Sequence, residues 1–415
     1  MRADKKMDPK RRVVVTGLGV VSSIGIGVED FWKNLIAGKS GISEIESFDT
    51  SQYPVHKGGE VKNFKPEDFI DRRKVKRLGR ASQLAIVASK LAIEDAALED
   101  NQIREGGIFM GTTMGEIQEL EGINVDWARK GHEAIDQSSI FLFPTNAITV
   151  NIALELGSER YNFMIPTACA AGNYSIGYAF DLIKKGSLDF ALAGGSDSFS
   201  RIAFTGFNRL LAMAPEKCQP FDKNRKGMML GEGAGVLVLE TLEHAEKRKT
   251  KIYAEVLGYG LSCDAHHMTH PSEEGIVKCM ERAIKEAGIS KDDVDYISAH
   301  GTGTPQNDKA ECAALKKVFV ERAQTIPCSS IKSMLGHPMG AASAMEAISC
   351  SLAIRDKIIP PTINFRTKDE ECNIDCVQNE ARRSNLKIVL NNSYAFGGNN
   401  AVLVFGEATR FRQIR

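Results

Sequence analysis

The chain has 415 residues, with 53 Lys+Arg against 53 Asp+Glu and 43% hydrophobic residues. That length buries a large core without staples and predicts two or three structural units. A formal net charge of zero excludes a generally basic, nucleic-acid-binding surface, and the hydrophobic content excludes disorder. Nine cysteines, an odd number without tight spacings, fit a reducing, cytoplasmic setting better than a disulfide framework. Residues 1–10 read as a basic tail rather than a signal peptide, because no apolar segment with a cleavage site follows. No run approaches the ~18 apolar residues that a spanning helix needs, so a soluble protein is expected.

Short apolar strands alternate with helical patterns along the chain. A strand at 13–15 leads to Gly17-Leu18-Gly19, and 82–98 repeats apolar residues at helical spacing. Strands follow at 107–110, 163–166, 189–193 and 236–239, the third of these segments leading to Gly194-Gly195. The rhythm then restarts. A strand at 252–257 leads to Gly258-Tyr259-Gly260, a helix covers 274–287, and strands at 294–299 and 326–330 precede a helix at 341–354. Strands at 386–390 and 401–405 close the pattern. The alternation predicts an α/β fold with a mostly parallel sheet covered on both faces. The restart predicts an internal duplication, with halves at 11–250 and 251–411 and the charged segment 243–251 as the seam.

Four segments carry chemistry. In Pro166-Thr167-Ala168-Cys169-Ala170-Ala171-Gly172 a strand ends, small residues turn, and a helix begins near the cysteine. A helix N-terminus favours thiolate, so Cys169 is a candidate nucleophile near neutral pH; the alternative is a buried structural cysteine. In Ser298-Ala299-His300-Gly301-Thr302-Gly303-Thr304 a histidine stands at a strand's C-terminal end, where α/β sheets keep their sites. The stretch Ile331-Lys332-Ser333-Met334-Leu335-Gly336-His337 brings a lysine and a second histidine to another strand end. In Ala395-Phe396-Gly397-Gly398 an aromatic flanked by glycine suits a mobile loop. A thiol, two histidines and a lysine at separate strand ends read as acyl transfer through a thioester.

On these motifs the sequence resembles the β-ketoacyl-ACP synthases of the thiolase superfamily, over about residues 11–406. Thr-Ala-Cys at 167–169, His-Gly-Thr-Gly-Thr at 300–304, Lys-Ser-x-x-Gly-His at 332–337 and Phe-Gly-Gly at 396–398 occur in family order. The resemblance implies a five-layered α-β-α-β-α fold from two duplicated halves. It also implies a decarboxylative condensation of malonyl-ACP with an acyl chain held on Cys169, as in fatty acid elongation. Cys169 would carry the acyl chain, and His300 and His337 would hold the malonyl thioester carbonyl. The backbone N–H groups of Cys169 and Phe396 would form the oxyanion hole. Lys332 would be ordered by Asp308 and Glu311, with Glu346 behind the site. Thr302, Thr304 and Thr269 would hold the phosphopantetheine arm, Phe396 with Gly397 and Gly398 would gate it, and Met114 and Phe207 would shape the acyl tunnel. The resemblance further implies an acyl carrier protein as partner, a homodimer or a heterodimer with a related subunit, and no cofactor or metal. The basic run Arg72, Arg73, Lys74, Lys76 and Arg77 is the expected dock for an acidic carrier protein, against the plainer reading of a solvated helix face.

Departures from the family pattern are Ala171-Gly172-Asn173 after the nucleophile, Ser298 where relatives often carry Glu, and Ala395 before the gating aromatic. They open an alternative: a ketosynthase of a dedicated type II polyketide, polyene or unusual-lipid pathway, paired with a chain-length-factor subunit. A non-catalytic chain-length factor lacks the nucleophile, and a thiolase lacks the Lys332 motif and uses a second cysteine. Thr16–Ser22 lacks the third glycine of a dinucleotide fingerprint, and Lys33 occupies the first glycine position that a P-loop at Gly38-Lys39-Ser40 would need. Cys263, His266, His267 and His270 match no closed zinc spacing.

Overall fold

A computed structural model describes residues 11–408; the tail at 1–10 and the end of the second half at 409–411 lie outside the described residues. One five-strand topology occurs twice, as two arrays, within a twelve-stranded sheet. In the first, Val13–Ser22 pairs antiparallel with Gly233–Thr241, which pairs antiparallel with Phe190–Asp197. Gly107–Gly111 and Asn162–Ile165 then add in parallel. In the second, Ala254–Cys263, Asn399–Gly406 and Ile388–Tyr394 pair antiparallel in that order, and Tyr296–Ser298 and Pro327–Ser329 add in parallel. Val13–Val15 pairs with Ala254–Val256 and joins the arrays into one mixed sheet.

The helices explain why both faces of each array read as apolar. Arg80–Ala96 packs on the outer face of the first array, and Glu273–Glu286 backed by Pro305–Phe319 covers the second. Ala171–Lys184 and Ala342–Asp356 lie between the arrays and touch both. Residues 342–354 are buried all round, as expected for a helix without a solvent face. The result is the α-β-α-β-α layering of the thiolase-like ketosynthase architecture, built from two duplicated halves.

One local expectation is corrected. The glycine pairs do not terminate strands. Val13–Ser22 runs through Gly17 and Gly19, Phe190–Asp197 through Gly194 and Gly195, and Ala254–Cys263 through Gly258 and Gly260. The reason is packing. A Cβ on Gly19 would stand 1.9 Å from the Ala88 carbonyl oxygen, and one on Gly260 would stand 2.2 Å from that of Cys279. In each half the Gly-x-Gly pair lets the outer helix lie directly on the strand. The charged segment expected as a seam instead contains a short helix, Leu242–Arg248, capped by the Thr241 hydroxyl.

Candidate active site

The candidate nucleophile, Cys169, is positioned by strain and by the central layer. Ala168, immediately before Cys169, holds φ 52° in the left-handed region, which costs a non-glycine residue about 1 kcal/mol. A single 3-10 turn over Ala168–Ala170 precedes the helix Ala171–Lys184. Cys169 is buried, and its carbonyl accepts the Ser393 hydroxyl at 3.0 Å. Its Sγ lies 3.1 Å from Nε2 of His337. The backbone N–H groups of Cys169 and Phe396 also face the sulfur.

The expected thiolate is not the resting state. Burial pushes the Cys169 thiol up to about 12, and Lys332 and the two backbone N–H groups only partly oppose it. The α-helix begins two residues after the cysteine, so its end charge is weaker at the sulfur than the sequence implied. Burial, then Lys332, hold His300 and His337 well below the usual imidazole range, so both rings are neutral. A neutral His337 and a thiol sharing one hydrogen bond is the consistent arrangement.

His300 is fixed through its backbone. Its N–H donates to Glu311 at 2.9 Å, the next N–H donates to the other Glu311 oxygen at 2.8 Å, and its carbonyl accepts Nζ of Lys332 at 2.7 Å. The His300 and His337 rings meet edge to face, 5.6 Å apart between centres. Lys332 is completely buried and pairs with Glu346. The ordering of Lys332 by Asp308 and Glu311 is therefore corrected: Glu346 and the His300 carbonyl hold the lysine. Asp308 instead accepts the N–H groups of Phe221 at 2.8 Å and Gly303 at 3.1 Å. Both acids brace the 300–304 turn from the helix Pro305–Phe319, whose N-cap is Thr304.

The cysteine and both histidines open onto a cavity of about 920 Å³, its mouth included. Cys169, His300, His337 and Phe396 line it, with Thr302, Thr304 and Thr269 along one wall. The Thr302 and Thr304 hydroxyls share a 2.9 Å hydrogen bond. The Phe207 ring packs against Phe396, 5.8 Å between centres. Gly397 and Gly398 form the turn behind Phe396 with φ of 81° and 79°, and the Gly397 N–H donates to the Met268 carbonyl at 2.8 Å. Met114 does not line this cavity. It packs into a neighbouring apolar cluster with Phe199, Phe204 and Met339. Of the basic run, Lys74 pairs with Glu155 and Arg73 with Asp71, while Arg72, Lys76 and Arg77 are exposed. His267 and His270 bond each other through Nδ1 at 2.9 Å, and no group of three or more metal-ligating side chains converges among the described residues.

Three supports were given no role by the motifs. Ser393 holds the nucleophile's carbonyl. Asn391 Nδ2 bridges Asn173 Oδ1 and the Ser343 carbonyl, each at 2.9 Å, and so ties the two central helices to the second array. Asp197 is buried beneath the site; its place at a strand's C-terminal end was the one available signal.

A buried cysteine, two neutral histidines and a buried lysine between two duplicated halves define a condensing enzyme of the thiolase-like class. The sequence matches the family described as Beta-ketoacyl synthase, N-terminal domain over 10–245 and its C-terminal domain over 253–366. The chain belongs to the β-ketoacyl synthase family and is an acyltransferase that works through a catalytic cysteine. It is 40% identical over 409 residues to 3-oxoacyl-[acyl-carrier-protein] synthase 2 of Staphylococcus aureus (strain N315), covering 96% of this chain and 99% of that one. It is 41% identical to the synthase of the same name from Coxiella burnetii (strain RSA 493 / Nine Mile phase I), covering 95% and 98%. Among solved structures, the ishigamide ketosynthase/chain length factor superposes with TM-score 0.93 at 45% identity, covering 96% of this chain and 99% of that one. No helix among the described residues is long and apolar enough to cross a membrane.

Proposed function

We propose that this protein is the ketosynthase of a dedicated type II polyketide, polyene or unusual-lipid pathway, acting on carrier-bound thioesters beside a chain-length-factor-like subunit. The 3.1 Å contact between Cys169 Sγ and His337 Nε2, below two converging backbone N–H groups, carries the catalytic part. The pathway assignment is supported by the 45% identity to the ishigamide ketosynthase/chain length factor, above the 40% to the Staphylococcus synthase. Fatty acid elongation is the second reading, favoured by the near full-length match to that synthase. The free edge of Asn162–Ile165 supports a subunit partner, since Tyr161, Phe163, Tyr178 and Leu154 expose apolar surface beside it.

Cys169 Sγ attacks the acyl thioester carbonyl and gives its proton to His337. The N–H groups of Cys169 and Phe396 hold the oxyanion, and the carrier's thiolate leaves and takes the proton back from His337. Malonyl-carrier then places its thioester carbonyl against His300 and His337. Loss of CO2 leaves an enolate, whose carbon attacks the acyl carbonyl and expels the Cys169 thiolate. The product is 3-oxoacyl-carrier protein. Preorganised donors of this kind contribute about 3–4 kcal/mol each. Thr302, Thr304 and Thr269 guide the phosphopantetheine arm, Phe396 gates it, and the exposed Arg72, Lys76 and Arg77 meet the acidic carrier. Nine free cysteines fit a reducing cytoplasm.

The test is incubation with acyl- and malonyl-carrier panels, alone and with the companion subunit from the same pathway. A product whose length changes with the companion supports the dedicated reading. Identical saturated product lengths with and without it support fatty acid elongation instead.

A further inference from the structure

His300 is gripped by its backbone, but its ring has no anchor of its own. His337 is held through Nε2 against Cys169 Sγ at 3.1 Å. The Nδ1 of His300 is buried and meets no hydrogen-bond partner among the described residues. A working imidazole is normally oriented by the hydrogen bond that its other nitrogen makes. Packing must supply the orientation here. Two rings flank the His300 imidazole: His337 at 5.6 Å between centres, and Tyr394 at 5.7 Å with the two planes 69° apart.

Tyr394 is built as a fixed wall. It ends the strand Ile388–Tyr394, which pairs in parallel with the strand leading to His300, Ser298 opposite Asn391. That register carries Tyr394 alongside the turn that bears His300. On the other side, Tyr394 pairs with Asn400 of the neighbouring strand. Its side chain joins the core cluster that holds Phe221, Cys279 and Ile297, and only 3% of the residue is exposed. The Tyr394 hydroxyl is buried with no partner among the described residues. A buried hydroxyl in that state costs stability, so the ring, not the oxygen, is what this position contributes. Edge-to-face pairs prefer a defined geometry, and a ring locked in a close-packed core imposes that geometry on its neighbour.

We propose that Tyr394 is a positioning residue for decarboxylation, its ring setting the plane in which His300 meets the malonyl thioester carbonyl. The inference rests on the reading of His300 as a donor to that carbonyl. Acylation of Cys169 uses His337 and two backbone N–H groups instead. Loosening the His300 plane therefore slows carbon dioxide loss more than it slows acylation.

The test compares Tyr394→Phe, Tyr394→Leu and Tyr394→Met with Phe319→Leu, a packing control in the same core cluster at the far end of the helix Pro305–Phe319. Carbon dioxide release from malonyl-carrier protein and Cys169 acylation by octanoyl-carrier protein, read by intact mass, are measured on the same samples. The ratio of decarboxylation to acylation is expected to fall about tenfold in Tyr394→Leu and Tyr394→Met. It stays at wild type in Tyr394→Phe, which keeps the ring, and in Phe319→Leu, which loses packing elsewhere. Equal loss of both activities, or an unchanged ratio, in the aliphatic variants overturns the proposal. So does a fall of the same size in Phe319→Leu, or in Tyr394→Phe, where the hydroxyl would then be the active part. If Tyr394→Leu does not fold, Tyr394→Met, with its more adaptable side chain, decides alone. Normal decarboxylation by His300→Ala would instead overturn the reading of His300, a distinguishable failure.

Discussion

Adjacent glycines behind Phe396 offer a controlled perturbation of the proposed oxyanion hole. Gly397 and Gly398 have nearly equal φ, 81° and 79°, so alanine at either position carries a similar backbone cost of about 1 kcal/mol. Their surroundings differ. A Cβ on Gly397 meets nothing closer than Asn399 Nδ2 at 3.9 Å, whereas one on Gly398 falls 2.7 Å from Asp264 Cβ. Asp264 cannot yield readily. Its N–H donates to the Gly398 carbonyl at 2.9 Å, and its carboxylate accepts Asn400 Nδ2 at 2.6 Å and the Ser272 N–H at 2.9 Å. Gly398→Ala must therefore shift the turn that aims the Phe396 N–H. Losing one oxyanion donor costs about 2.7–4 kcal/mol, or about 10²–10³ in rate. Acylation of Cys169, followed by intact mass, should fall by that factor in Gly398→Ala and by no more than about tenfold in Gly397→Ala. Thermal unfolding of both variants checks that they are folded. Equal losses at the two positions would refute the assignment of the Phe396 amide to the oxyanion hole.

Other outcomes follow from the same geometry. Glu346→Gln leaves Lys332 buried without its counter-charge and should destabilise by about 3–5 kcal/mol, while Lys332→Met/Glu346→Leu should recover much of that loss; chemical denaturation measures both. Cys169→Ala should abolish condensation yet retain malonyl decarboxylation, and His300→Ala should suppress decarboxylation; carbon dioxide release separates the two. Burial holds His300 and His337 well below the ordinary imidazole value of about 6.5, so the unfolded chain binds protons there that the folded chain refuses. Their contribution to stability is complete above that value and declines as pH falls below it. Burial raises Glu116 and Glu311 to about 7, which has the opposite sign: stability declines as pH rises from the ordinary carboxylate range through 7. The melting temperature of His300→Ala/His337→Ala should therefore drop less than that of wild type between neutral pH and pH about 5.5. An identical drop would contradict neutral, buried rings.

The order of strands and helices was legible because apolar runs and helical spacing are local properties. The internal restart after residue 250 was legible for the same reason, and it became two arrays of identical strand order. The glycine pairs misled because a strand exit and a helix-packing strand both call for glycine, and only the Ala88 and Cys279 carbonyls distinguish them. Chemistry split in the same way. Cys169 and the two histidines were marked by small-residue turns at strand ends. Lys332 was assigned to Asp308 and Glu311, although Glu346, only fourteen residues further on, is the acid that the helix Ala342–Asp356 brings beside it within the central layer. The state of the thiol depended on burial, which no local pattern encodes. Asp197 was marked only by its place at a strand end, because its four donors come from segments about 85 and 143 residues away.

The central claim is that Cys169 accepts an acyl chain and passes it to a decarboxylated malonyl unit. Intact-mass analysis after incubation with acyl-carrier protein, followed by malonyl-carrier protein and the companion subunit, tests it most directly. The expected result is an acyl adduct that maps to Cys169, is absent in Cys169→Ala, and is discharged as 3-oxoacyl-carrier protein when malonyl-carrier is added. Folded wild-type protein that neither gains the adduct nor forms that product across the panel would contradict the account.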